Sequence, residues 1–237
     1  MKTKLVVIVL LAAAAVALGV VRTPSTIQNK PVSHPVTHND GLNSYVNDAK
    51  SKGHRTVGVP APLVCEYLGG AGGISAEEAF KSSTVVVAHL ISKQSTHSYD
   101  EITTWNKFAI DETLSAVKDV PCPGCVPPSP PATLLPLSPG EFVLPKTGGT
   151  VNIDGVELRQ LVEDYPEYEL NQKYVLLLLK LYPAGVAQTF GGPIGVFRVL
   201  PNDELAPIWE SEHRIRRDFK DVYGNSLERV RKHLKHK

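Results

Sequence analysis

Cysteine is scarce in this 237-residue chain: Cys65, Cys122 and Cys125 are the whole supply. That excludes the small disulfide-framework folds, which replace a hydrophobic core with several cross-links. Charge imbalance is missing too. Lys and Arg number 25 against 24 Asp and Glu, a formal net charge of +1, so no global field favours a nucleic acid as partner. Beyond residue 21 no apolar run is long enough to span a membrane, which takes about 20 residues. Long helical segments of the kind that parallel crossovers need are absent, and so is any internal repeat. No nucleophile elbow, metalloprotease helix or paired-carboxylate spacing occurs. A Ser-His-Asp triad would leave no such mark, because it assembles in space.

What is present begins with an address. Lys2 and Lys4 precede an unbroken apolar or small-residue run at 5–21, and Arg22, Thr23 and Pro24 end it. Small-residue cleavage patterns stand at Ala15-Val16-Ala17 and Ala17-Leu18-Gly19. Basic start, apolar middle and small-residue end describe a secretory signal. Residues 1–19 are therefore expected to be a signal peptide, or an N-terminal anchor if 5–21 is retained, and the protein is expected to be exported, periplasmic or extracellular. No cysteine lies near the cleavage region, so lipoprotein attachment is not expected.

Residues 20–62 hold Pro24, Pro31, Pro35, Pro60 and Pro62 among polar residues and read as an exposed linker or arm. A β-rich domain is expected over 63–210. A capping box, Ser75 with Glu78 three residues on, should open a brief helix to about Lys81. The valine-rich run at 85–91 reads as a strand covered on both faces, and 102–110 as an alternating one. They are expected to form a hairpin around the polar loop 95–100. Eight prolines in 119–140 deny that stretch a hydrogen-bond ladder, so it reads as a stiff inserted loop. Asp154-Gly155, between apolar alternations at 151–153 and 156–162, is the strongest hairpin signal, because the pair accepts positive φ. Strands at 174–181, 186–190, 194–200 and 204–208 follow. The expected fold is mainly β: an antiparallel OB-like barrel or sandwich with a short helix before it and C-terminal helices.

Two stretches carry a resemblance. Val85-Val86-Val87-Ala88-His89-Leu90 with Ile102-Thr103-Thr104-Trp105-Asn106-Lys107-Phe108 resembles the opening of a class of uncharacterised exported bacterial proteins. Their second half has a Gly-x-x-Tyr entry to a very apolar strand, matched here by 171–179 with Asn171 in the glycine place. A Gly-x-x-Gly-Val-Phe strand follows, matched by Gly192 to Phe197. The layout, over 82–208, is similar to the OB-like barrel of netrin-like and metalloproteinase-inhibitor modules. The resemblance implies a fold and transfers no catalytic residue. Inhibitors of that type rely on a free N-terminal cysteine that this chain does not supply, so inhibition by their mechanism is not implied.

Cys122-Pro123-Gly124-Cys125 is the most tempting motif. A redox dithiol needs its first sulfur at a helix N-terminus, and Val126-Pro127-Pro128 prevents a helix there. Zinc would need further ligands, Cys65 among them. A structural disulfide or loop tie, redox chemistry and metal binding all stay open, with the structural role expected. Gly69-Gly70-Ala71-Gly72-Gly73 before a helix invites a phosphate-loop reading, but Glu77 and Glu78 set negative charge where phosphates would sit. His34 and His38 stand four apart among prolines, and His89 reads as a hydrogen-bonded core residue. No cofactor or metal is implied. The tail 211–237 holds nine Lys and Arg against four acids and reads as basic helices, with Ile215, Phe219 and Val222 on one face and Leu227, Val230 and Leu234 on another. Such helices either dock on the domain or lie on an anionic membrane surface. The expected function is a non-catalytic exported module that binds a protein or envelope component. The alternatives are an enzyme, thiol-dependent or otherwise, and a membrane-associated protein.

Overall fold

The runs at 85–91 and 174–181 are apolar almost without interruption because their strands are covered on both faces. A computed structural model describes residues 41–61, 73–117, 129–162, 165, 167–182, 184–209 and 213–235. In chain order the elements are α1 (Gly41–Ser51), β1 (Thr56–Pro60), α2 (Ala76–Lys81), β2 (Thr84–His97), β3 (Ile102–Ser115), β4 (Glu141–Thr147), β5 (Gly149–Ile153) and β6 (Val156–Leu161). Then come β7 (Lys173–Leu181), β8 (Ala187–Thr189), β9 (Val196–Val199), β10 (Leu205–Pro207), α3 (Arg214–Asp221) and α4 (Leu227–Lys235). The chain is mainly β, with a few helices.

The larger sheet runs β10-β9-β7-β2-β3-β4, with β8 also on β7. Its neighbours are antiparallel. Side chains alternate across a strand, and here both alternating sets are buried. Val85, Val87, Val175 and Leu177 join Phe197, Ile215, Phe219 and Val230 on the face that α2, α3 and α4 cover. Val86, Ala88, Leu90, Tyr174 and Leu176 join Phe108, Phe142, Leu144 and Tyr168 on the other. Each large side chain so buried contributes about 1.5–3 kcal/mol relative to exposure, and this explains why the central strands read as continuous runs. The sheet does not close into a barrel; β10 and β4 remain its edges.

The smaller sheet, β1-β6-β5, departs from the antiparallel expectation: β1 runs parallel to β6, from Thr56 opposite Glu157 to Pro60 opposite Leu161. The β5–β6 hairpin stands as read, with Asp154 at φ 51° and Gly155 at φ 82° in the turn. Leu42, Val46 and Ala49, one face of α1, pack on Val59, Val151, Val156, Leu158 and Ile102.

The linker reading of 20–62 therefore fails for 41–60. Its apolar residues are few but fall at helical spacing, and their partners lie about a hundred positions downstream. β4 was hidden by Pro145, which an edge strand accommodates. The β2–β3 hairpin is longer than expected. His97 pairs with Ile102, so the loop shrinks to 98–101. Val222 is 61 % exposed and leaves the apolar face of α3, while Arg216 enters it. There Arg216 donates to the carbonyls of Val196 and Pro193 at 3.1 and 2.7 Å and lies 4.3 Å over the Phe197 ring.

Candidate functional site

On β4 the residues Phe142, Leu144 and Lys146 share one face, and all three are buried. The first two belong to an aromatic cluster. The third carries that face past the end of the apolar layer, where β3 supplies Thr104, opposite Lys146, and Asn106, opposite Leu144. β2 supplies Ser95, opposite Thr104, and Lys93, opposite Asn106. Thr150 comes from β5, and Glu167 from the segment between β6 and β7. Together Lys93, Gln94, Ser95, Thr104, Thr150 and Glu167 line an open groove of about 310 Å³.

An aromatic cluster adjoins the groove through Tyr168, the neighbour of Glu167 in sequence. Tyr168 is 1 % exposed and stands edge-on to Phe108 and Tyr174, at 5.3 and 5.2 Å between centroids. The Glu169 N–H donates to the Tyr174 hydroxyl at 2.8 Å, and the hydroxyls of Tyr165 and Tyr168 lie 3.2 Å apart. These contacts fix Glu167 over the groove, where Lys93 donates to its carboxylate at 2.6 Å. That hydrogen bond, with the charges of Lys93 and Lys146, holds the Glu167 carboxyl below the usual carboxylate range.

Lys146 is the unusual member. It is 5 % exposed, its ammonium sits 4.8 Å over the Tyr165 ring, and it has no hydrogen-bond or ion-pair partner among the described residues. Burial lowers its pKa. Glu167 opposes that shift and Lys93 reinforces it. A desolvated cation sharing one carboxylate with a second cation is a site whose demand for negative charge is incompletely met.

The hydroxyls along the wall are ordered. Thr104 gives its only hydroxyl proton to the Gly148 carbonyl at 2.6 Å, so Ser95 is the donor in the 2.9 Å bond between Ser95 and Thr104. Gly149, at φ 144°, passes so close that a Cβ there would strike the Thr104 and Ser95 oxygens. The absence of a side chain at 149 thus lets the small sheet approach and set Thr150 on the rim. Thr133 donates to the Gln94 side-chain carbonyl, which leaves the Gln94 NH₂ available.

Of the residues singled out from sequence, Cys65, Cys122, Cys125, His34, His38, the signal segment and Gly69 to Gly72 lie outside the described residues. The capping box forms as expected: Glu78 N–H donates to Ser75 Oγ, and Ser75 N–H donates to the Glu78 carboxylate. The Ala76 N–H is taken at 2.8 Å by Asp218 of α3, so a carboxylate of the chain itself occupies the place a phosphate would need. His89 is hydrogen-bonded but not in the core. Its Nδ1 lies 2.8 Å from Asp111, a third of its side chain is exposed, and Lys173 also reaches Asp111 at 3.3 Å. The apolar stripe of α3 and α4 is buried on the sheet, so these helices face outward with polar and charged groups.

None of the groove residues was singled out from sequence. The readable signal was Lys146 itself, a lysine in step with Phe142 and Leu144 at period two, and it was lost with β4. No protein-family model, curated protein or solved structure matches the chain.

Proposed function

We propose that this chain is an exported, non-catalytic binding module of the cell envelope that contacts another molecule through the groove between its two sheets. The observation that carries the reading is Lys146, a buried lysine with no hydrogen-bond or ion-pair partner among the described residues, set beside an open polar groove. Stability alone does not select such an arrangement, since an apolar residue in that place would serve the fold better. Perturbed ionisable groups in a concave site mark function more often than chance.

The fold half of the proposal is an OB-like, partly open barrel formed by β2, β3, β4, β7 and β8. Its support is a single parallel bridge between Val143 and Val186, with Val143 N–H donating to the Gly185 carbonyl at 2.8 Å. That bridge draws the β4 edge toward the β7–β8 hairpin around the Phe108–Tyr174 cluster. Ligand sites favour the mouths of such barrels.

The test is photo-crosslinking in the native host from a reactive residue at Gln94 or Thr150, with Lys220 on α3 as control. Capture of one partner from the groove positions and not from Lys220 is the expected result. Equal capture from all three, or capture from Lys220 alone, would refute the groove as the contact surface. The N-terminus of the same purified protein reads export, with a chain starting near residue 18 or 20 expected and an intact Met1 species in the cytosol contradicting it.

A further inference from the structure

We infer that Lys93 and Lys146 form a receptor for the carboxylate of a small organic acid, and that Glu167 occupies this receptor as an internal stand-in when no ligand is bound. The inference rests on the groove being the contact surface and names what it takes.

Two lysine charges act on one carboxylate at this groove. Lys93 holds Glu167 at 2.6 Å and also reaches the Tyr168 carbonyl at 3.4 Å. Lys146 feels Glu167 through charge alone, with no hydrogen bond between them. A single carboxylate seated between both cations would meet a demand that Glu167, held from the Lys93 side, leaves half unmet. Glu167 is 47 % exposed at its side chain, so it can turn to solvent without disturbing Tyr168, which anchors the segment from inside the cluster.

The size of the groove sets the class of ligand. About 310 Å³ lies at the lower end of small-molecule pockets and suits an acid of a few carbons. Beyond the lysines the walls offer the Gln94 amide, the Thr150 hydroxyl and the lone pairs of Ser95, a polar lining suited to an oxygen-bearing chain more than to a hydrocarbon. An acidic side chain of a protein partner shares the same carboxylate chemistry.

Succinate, acetate and a capped glutamate-containing tripeptide are titrated into the whole exported chain and into Glu167→Gln, with affinity read by calorimetry. Removing the internal carboxylate should tighten succinate at least about tenfold, the magnitude of one charge-assisted contact, and Lys146→Met in the Glu167→Gln background should abolish that gain. If Glu167→Gln fails to fold, reductively ¹³C-methylated wild-type protein gives the same answer, with the Lys146 dimethyl signal moving as succinate is added. Equal affinity of wild type and Glu167→Gln, or a gain that survives Lys146→Met, would overturn the receptor. Binding of the tripeptide without succinate would overturn the small-acid assignment in favour of a partner's side chain. Crosslinks from Gln94 and Thr150 that persist while all these arms fail would sink the carboxylate receptor and leave the binding module standing.

Discussion

Gln160→Leu tests how the small sheet is fastened to the large one. Gln160 on β6 is fully buried, and its amide serves three backbone groups. The Ile102 N–H donates to its carbonyl at 2.7 Å, and its NH₂ donates to the Pro60 and Asp100 carbonyls at 3.1 and 3.4 Å. One side chain thus joins β1, the start of β3 and the loop before it. Leucine fills nearly the same volume but returns none of these bonds. The Ile102 N–H is then stranded in a residue with no exposure, a penalty of about 1–3 kcal/mol. Pro60 and Asp100 lie at the surface, where water can replace the lost donor, and desolvation of the glutamine amide is relieved. The net loss should be about 2 kcal/mol, or roughly 4–8 °C in Tm for a chain of this size. Urea unfolding followed by circular dichroism measures it, and amide exchange at Ile102 and along β1 locates it. A variant within about 0.5 kcal/mol of wild type, the range of ordinary surface substitutions, would show that the amide does not fasten the sheets.

Lys146→Met should stabilise the protein, by about 1 kcal/mol as is common when a functional residue is replaced by one suited to the fold. Because burial lowers the folded pKa of Lys146, its destabilisation is full below that lowered value. It fades as pH rises through the lowered value toward the ordinary 10.5, where the unfolded chain still binds the proton and the folded one does not. The gain from methionine should shrink in step, and thermal melts from pH 7 to pH 10 would expose a constant difference if the reasoning fails. Asp218→Ala removes the acceptor for the Ala76 N–H and should cost about 1 kcal/mol, the usual loss of a helix cap, with faster amide exchange confined to α2. An unchanged α2 would mean that Ser75 and Glu78 suffice alone.

Elements whose signal is local were legible in the sequence. The capping box of α2, the Asp154–Gly155 turn and the double-sided apolar runs of β2 and β7 each state their structure within a few residues. α1 and β1 do not. In α1 only Leu42, Val46 and Ala49 are buried, and the helix start is held by Leu42 N–H on the Tyr99 carbonyl at 2.8 Å, a contact invisible from the segment. β1 contains Gly58 and Pro60, both poor strand formers, and exists because β6 lies beside it. The groove was illegible for the same reason: its six lining residues come from β2, β3, β5 and an irregular segment, and none carries a motif. Cysteine and glycine clusters drew attention because motifs are what a sequence displays, whereas this site is made of ordinary side chains brought together by register.

The parallel pairing of β1 with β6, and the antiparallel pairing of β2 with both β3 and β7, also set an order in time. As the chain is made from its N-terminus, the β2–β3 hairpin can close as soon as residue 115 has emerged, since its contacts are local. The other side of β2 must then wait for β7, which ends at Leu181. Until that strand arrives, Val85 to Leu90 present an unpaired, apolar edge, the kind of template that recruits other chains. β1 waits likewise for residue 161. While β7 is withheld the large sheet cannot be completed, so the chain carries this adhesive edge until its last third follows.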